Sequence, residues 1–202
     1  MKLVAATLLL VSVGSAQKQT LPQSFARART LYYRGADGDA KSYDEADKLF
    51  AELYREHAKV PRIEAYYGSL RLLEASHTWA VWKKNRLSKE GIETMDTAVA
   101  AAPDDLEVRF VRAATTYGLP GFFHRKEQSE QDFSYLAKQA EQASREGLLE
   151  PRLAAASLYF HAEFLVDAHR QDAVAAWKKA IALAPDSRAA RDSEEELKKL
   201  GE

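Results

Sequence analysis

The sequence predicts an all-α fold, stacked antiparallel helical hairpins closed by a C-terminal capping helix, and three observations carry that expectation. Apolar residues recur at helical spacing: Tyr43, Ala46, Phe50 and Leu53; then Ile92, Met95, Val99 and Ala102; then Val174, Trp177, Ile181 and Ala184. Period-two alternation bounded by hairpin turns is missing, and β-branched residues are sparse beside Ala, Leu, Glu, Lys and Arg. Four of the six prolines, Pro61, Pro103, Pro151 and Pro185, stand 42, 48 and 34 residues apart, which is the spacing of a repeat.

The expected elements follow in order. Helices are predicted over 23–35, 43–58, 62–84, 88–102, 105–118, 126–146, 151–168, 170–184 and 187–200. Gly35, Asp37, Gly38 and Asp39 make the first loop, Leu119-Pro120-Gly121 breaks the chain near its middle, and Gly147 suits the residue just past a helix end before Pro151. Nine helices on short loops imply antiparallel neighbours, grouped as units 23–60, 62–103, 105–150 and 151–185 with a cap at 187–200. The cap reads as solvent-facing: Glu194/Lys198 and Glu195/Lys199 pair at i,i+4, and its apolar content is limited to Ala189, Ala190, Leu197 and Leu200.

Ahead of the helices, Lys2 precedes an uncharged run from Leu3 to Val13, followed by Gly14, Ser15, Ala16 and Gln17. That run is too short to span a bilayer core of about 30 Å as a helix. Small Gly14 and Ala16 suit a signal-peptidase site, so residues 1–16 are expected to be a signal peptide and 17–202 a single exported helical domain. After cleavage no integral membrane segment is expected. A periplasmic or secreted location follows, and the absence of cysteine closes disulfides, thiolate metal sites and a cysteine lipid anchor. With 29 basic and 30 acidic residues the formal charge is −1, so the chain lacks the basic field that non-specific nucleic-acid binding needs.

The segment Ala173-x3-Trp177-x2-Ala180-x4-Pro185 resembles the second helix of a tetratricopeptide repeat, in which small residues let helices approach, an aromatic fills the gap and a proline ends the helix. Phe160 and Phe164 stand where that family has a large aliphatic and a Tyr, while His161 departs from it at a small-residue position. Gly91-x3-Met95-x2-Ala98-x4-Pro103 is a second match, preceded by Ala75, Thr78, Trp79 and Trp82, with Trp79 again in the small-residue position. Tyr43-x2-Ala46-x3-Phe50-x2-Leu53 is a third, and the unit from Asp104 to Pro151 matches poorly. The resemblance implies a protein or peptide-binding scaffold without catalysis, its ligand lying on a concave surface lined by the first helix of each pair. By register, the partner-binding positions it implies are Ser76, Lys83 and Lys84 in the second unit and Glu107, Phe110 and Tyr117 in the third.

Catalytic chemistry has little footing in the sequence. His57, His77, His124, His161 and His169 carry no motif around them, and neither a nucleophile elbow, a zinc-protease motif nor a phosphate-binding loop occurs. His161 and His169 are eight residues apart, about 80° around a helix, which is not a ligand pair. Glu74 and His77 share a face, as surface hydrogen-bonding pairs commonly do. Asp37, Asp39 and Asp44 suggest calcium until Lys41 and Lys48 are found at the fifth and twelfth loop positions, where oxygen ligands belong. Neither metal nor cofactor is expected. Trp79 and Trp82 beside Lys83, Lys84 and Arg86, and Phe110 and Tyr117 beside Arg109 and Arg112, leave two readings open. They are core aromatics flanked by snorkelling bases, or a ligand groove in mid-stack. An all-α enzyme or small-molecule binder would instead converge Glu74, His77 and Arg112 on a deep pocket, and a subunit of an envelope assembly would expose a broad apolar patch.

Overall fold

Nine α-helices, one 3-10 turn and no strand make up the regular structure of residues 20–202, the residues that the computed structural model describes. The expected signal peptide at 1–16 lies outside them. In chain order the helices are α1 (Leu21–Ala36), α2 (Ala40–His57), α3 (Pro61–His77), α4 (Val81–Ala101), α5 (Leu106–Thr116), α6 (Lys126–Arg145), α7 (Pro151–Leu165), α8 (Arg170–Leu183) and α9 (Arg188–Leu200), with the 3-10 turn at Gly121–Phe123 between α5 and α6.

Local chemistry sets these boundaries. The Asp39 carboxylate accepts from the backbone N–H groups of Lys41 and Ser42 at the start of α2, and Asp105 does the same for Glu107 and Val108 at the start of α5. Pro61 and Pro151 open α3 and α7, where the missing N–H costs no helical bond. The Ser187 hydroxyl accepts from Ala190 N–H at α9, and Gly201 ends that helix at φ 76°, a left-handed conformation that favours glycine.

Each helix packs on the next in sequence, and in addition α3 lies on α5, α5 on α7 and α7 on α9. The closest approach is between α3 and α4. A Cβ built on Gly68 would come within 2.7 Å of the Gly91 carbonyl oxygen, and one on Gly91 within 2.5 Å of the Gly68 carbonyl oxygen, so both positions need glycine.

That glycine pair corrects the predicted boundary between the third and fourth helices. The expectation was a helix over 62–84 and another from 88, with Trp79 packed at the small-residue position. In the structure α3 ends at His77, Thr78 is extended at φ −89° and ψ 124°, and α4 begins at Val81. Antiparallel partners sit equally far from their turn, and the midpoint of 68 and 91 falls between Trp79 and Ala80. The close-packing residue is therefore Gly68, and Trp79 stands at the exposed apex. A similar shift occurs in α7, where Ala162 is fully buried in one cluster with Ala173 and Trp177, while the neighbouring His161 is half-buried.

One apolar core runs from Ala28 of α1 to Ala189 of α9, with Phe50 stacked on Tyr66 and Phe133 on Phe160, each at 4.9 Å between ring centroids. A second cluster joins α7, α8 and α9 around Trp177, which is fully buried as its repeat position predicts. A third, smaller one holds Leu72, Ile92 and Met95 under Leu119 and Phe123. Charged groups bind the middle of the molecule. The buried Asp132 carboxylate of α6 accepts from Arg109 at 2.7 Å and Arg112 at 2.9 Å, and Arg112 also reaches Asp96 of α4 at 3.1 Å.

Candidate functional site

The resemblance places a ligand on the face lined by the first helix of each pair, which here are α1, α3, α5 and α7, and α9, expected as the cap, packs beside α7. The N-terminal half of that face is filled by the protein's own side chains. The Arg29 guanidinium of α1 donates to Glu107 of α5 and to Glu150 before α7, while Arg62 of α3 donates to Asp105 at 2.7 Å. Buried Glu107 also accepts from the Tyr66 hydroxyl, which lies 2.8 Å from the Tyr33 hydroxyl. Burial works against the Arg29 cation, but its bonds to Glu107 and Glu150 outweigh that and hold it charged. Burial pushes the Tyr33 and Tyr66 phenols up, and the nearby Glu107 charge adds to the effect. Beside them the Tyr32 hydroxyl meets Ser69 Oγ at 2.7 Å, and Thr115 donates to the same atom at 2.8 Å, joining α1, α3 and α5.

The C-terminal half of that face remains partly open. Tyr117 follows α5 and packs on Phe160 and Phe164 of α7 at 4.9 and 5.5 Å. Tyr117, Tyr159, Glu163, Asp192 and Glu196 are all half-buried. Burial, then the charges of Glu163 and Glu196, raise the Tyr117 phenol. Burial likewise raises Glu163, with Glu196 and Asp192 adding repulsion against the attraction of Lys199. Lys199 donates to Glu196 at 2.6 Å. An aromatic floor beside the Glu163 carboxyl is the result, with Asp192 paired to Arg188 and Glu196 to Lys199.

The six predicted binding residues thus divide three ways. Ser76, Lys83 and Lys84 gather at the apex of the α3–α4 hairpin, Ser76 in the last turn of α3 and the lysines in the first turn of α4. Lys83 reaches Glu74 at 2.9 Å. Glu107 and Phe110 are buried, the first in the ion network and the second against Phe133, so they face the core and not a groove. Tyr117 alone stays with the half-open face. Of the two readings left open for Trp79 and Trp82, core aromatics does not hold, because Trp79 is 92% exposed and Trp82 71%.

Glu74 is taken up by Arg71 and Lys83, and Arg112 by Asp96 and Asp132, so those side chains do not converge. Among the described residues no group of three His, Asp or Glu side chains is placed to hold a metal ion, and Asp39 serves as a helix cap. Sequence reasoning missed Tyr159, Glu163 and Asp192. The helical spacing of Tyr159 and Glu163, four apart, was the available signal. Comparison of the chain with family models, with curated proteins and with solved structures gives no match.

Proposed function

We propose that the chain is an exported, non-catalytic scaffold that binds another protein or a peptide, its hairpins stacked as a tetratricopeptide-like α-solenoid. The packing order supports that architecture, since first helix meets first helix from α3 through α5 and α7 to α9 and so builds a continuous wall. Export is supported by Lys2, the apolar run to Val13 and the Gly14-x-Ala16 step, with Gln17 as the expected mature N-terminus.

The observation that carries the binding assignment is the half-buried face of Tyr117, Tyr159, Glu163, Asp192 and Glu196 on α5, α7 and α9. Aromatic surface on rigid helices is what interface hot spots use, and negative charge beside it favours a partner segment bearing Lys or Arg. A pull-down from envelope extract of the native host tests this. Wild-type protein is expected to retain a partner that Glu163→Lys loses while helicity is unchanged by circular dichroism. Full retention by the Glu163→Lys protein would remove this face from the reading.

A further inference from the structure

Four large apolar side chains are more exposed than any others among the described residues: Trp79 at 92%, Phe122 at 73%, Trp82 at 71% and Val81 at 70%. They share one edge of the molecule. Three sit at the apex of the α3–α4 hairpin, and Phe122 sits on the 3-10 turn after α5. Phe122 and Phe123 border one hollow with Asn85, Ser88 and Ile92 of α4, and Asn85 lies one turn beyond Trp82. Phe123 packs against the cluster of Leu72, Ile92 and Met95, which fixes the 3-10 turn to this edge.

The charge around them is mostly basic, with Glu74 paired to Lys83 and Glu93 paired to Lys89. From Ala75 to Lys89 the chain carries Lys83, Lys84, Arg86 and Lys89 and no Asp or Glu, in a protein with 30 acidic residues. Lys84 and Arg86 are exposed and have no carboxylate within ion-pair distance among the described residues. Residues 117–126 add Lys126 and Arg125, the latter paired with Asp96 of α4, and no acid. The first turn of α4 holds no acidic residue and its N-cap, Ala80, offers no side-chain bond. Cations there oppose the helix dipole, so Lys84, which lacks the carboxylate partner that Lys83 has in Glu74, gives the helix no support. Exposed Trp and unpaired bases at an adverse helix end break two local rules of folding at one place, which marks a surface kept for contact.

We propose that this edge docks on an anionic phospholipid bilayer, with Trp79, Val81, Trp82 and Phe122 entering the headgroup region and Lys84, Arg86 and Lys89 facing lipid phosphates. Indole rings partition to the membrane–water interface, and juxtaposed bases add attraction to an anionic leaflet. Shape favours lipid over an acidic protein. Trp79 stands in the α3–α4 connection and Trp82 in the first turn of α4, both protruding into solvent as a wedge would, and a deformable interface accepts such a protrusion where a folded partner would need a matching socket. The inference goes beyond the scaffold reading and does not rest on it, since it uses the hairpin apex and not the face of α5, α7 and α9.

Intrinsic fluorescence provides the test, because two of the three tryptophans lie in the wedge and the third, Trp177, is buried. The full chain is mixed with phosphatidylglycerol/phosphatidylcholine vesicles, with phosphatidylcholine alone, and with poly-glutamate. The expected result is a blue shift on the anionic vesicles and quenching by brominated acyl chains. Each basic charge near the surface contributes about fivefold, so Lys84→Glu/Arg86→Glu is expected to weaken quenching-detected partition by about twentyfold or more. Quenching read at Trp79 and Trp82 separates wedge insertion from any binding through the apolar run at Leu3 to Val13. Emission unchanged by anionic vesicles, equal quenching in the charge-reversed protein, or a shift with poly-glutamate and none with vesicles would each overturn the proposal.

Discussion

At the outer side of α7, His161 has a buried Nδ1 with no hydrogen-bond partner. Burial holds its imidazole below the ordinary pKa, and Lys138 of α6 adds to the shift against the weaker pull of Glu130 and Asp172. The folded state therefore binds fewer protons than the unfolded chain just below the ordinary value of 6.5. Stability from this residue is complete above that pH and is lost as pH falls through the lower folded-state value. The urea midpoint is expected to drop between pH 7.5 and 5, and His161→Gln is expected to flatten part of that drop. An identical pH profile for the two proteins would show that the imidazole titrates as it does in the unfolded chain.

Helix by helix, the α3–α4 pair depends on backbone contact more than any other. Adding a methyl group at Gly68 or Gly91 improves helix propensity by about 1 kcal/mol, but it must force the helices apart, at about 1–3 kcal/mol or more. Gly68→Ala is therefore expected to lower the thermal midpoint, while Gly118→Ala, which meets nothing within 4 Å, leaves it near wild type. Equal midpoints would mean that the helices do not touch there. The same pair shows what the sequence could and could not disclose. Trp177 was legible because the aromatic and its flanking alanines lie within one helix and Pro185 just past its end. The apex at Trp79 was not, because the deciding contact joins residues 23 apart and a continuous helical pattern ran across the turn. The starts expected at 43, 105 and 187 lie within a few residues of those that Asp39, Asp105 and Ser187 cap in the structure.

Across the whole molecule, the side on which α3, α5, α7 and α9 pack in turn is treated differently at its two ends. Tyr32, Tyr33, Tyr66, Arg29 and Glu107 fill the side toward α1, whereas the side toward α9 keeps Tyr117, Tyr159 and Glu163 half-open. This asymmetry depends on pairs such as Arg29 with Glu150, 121 residues apart, so no local pattern could disclose it. Glu107 illustrates the point: in the sequence it occupies a groove position, and in the structure two arginines and a tyrosine neutralise and bury it. The proposed partner binding is accordingly assigned to the half that the chain leaves uncovered. Photo-cross-linking in the native host's envelope tests that assignment most directly, with a benzophenone side chain placed at position 163 and, as a control on the outward side of α8, at position 178. The account predicts a discrete protein adduct from position 163 that is lost on Tyr159→Ala and absent from position 178. Adducts from position 178 alone, or none from position 163 while the protein is folded and exported, would contradict it.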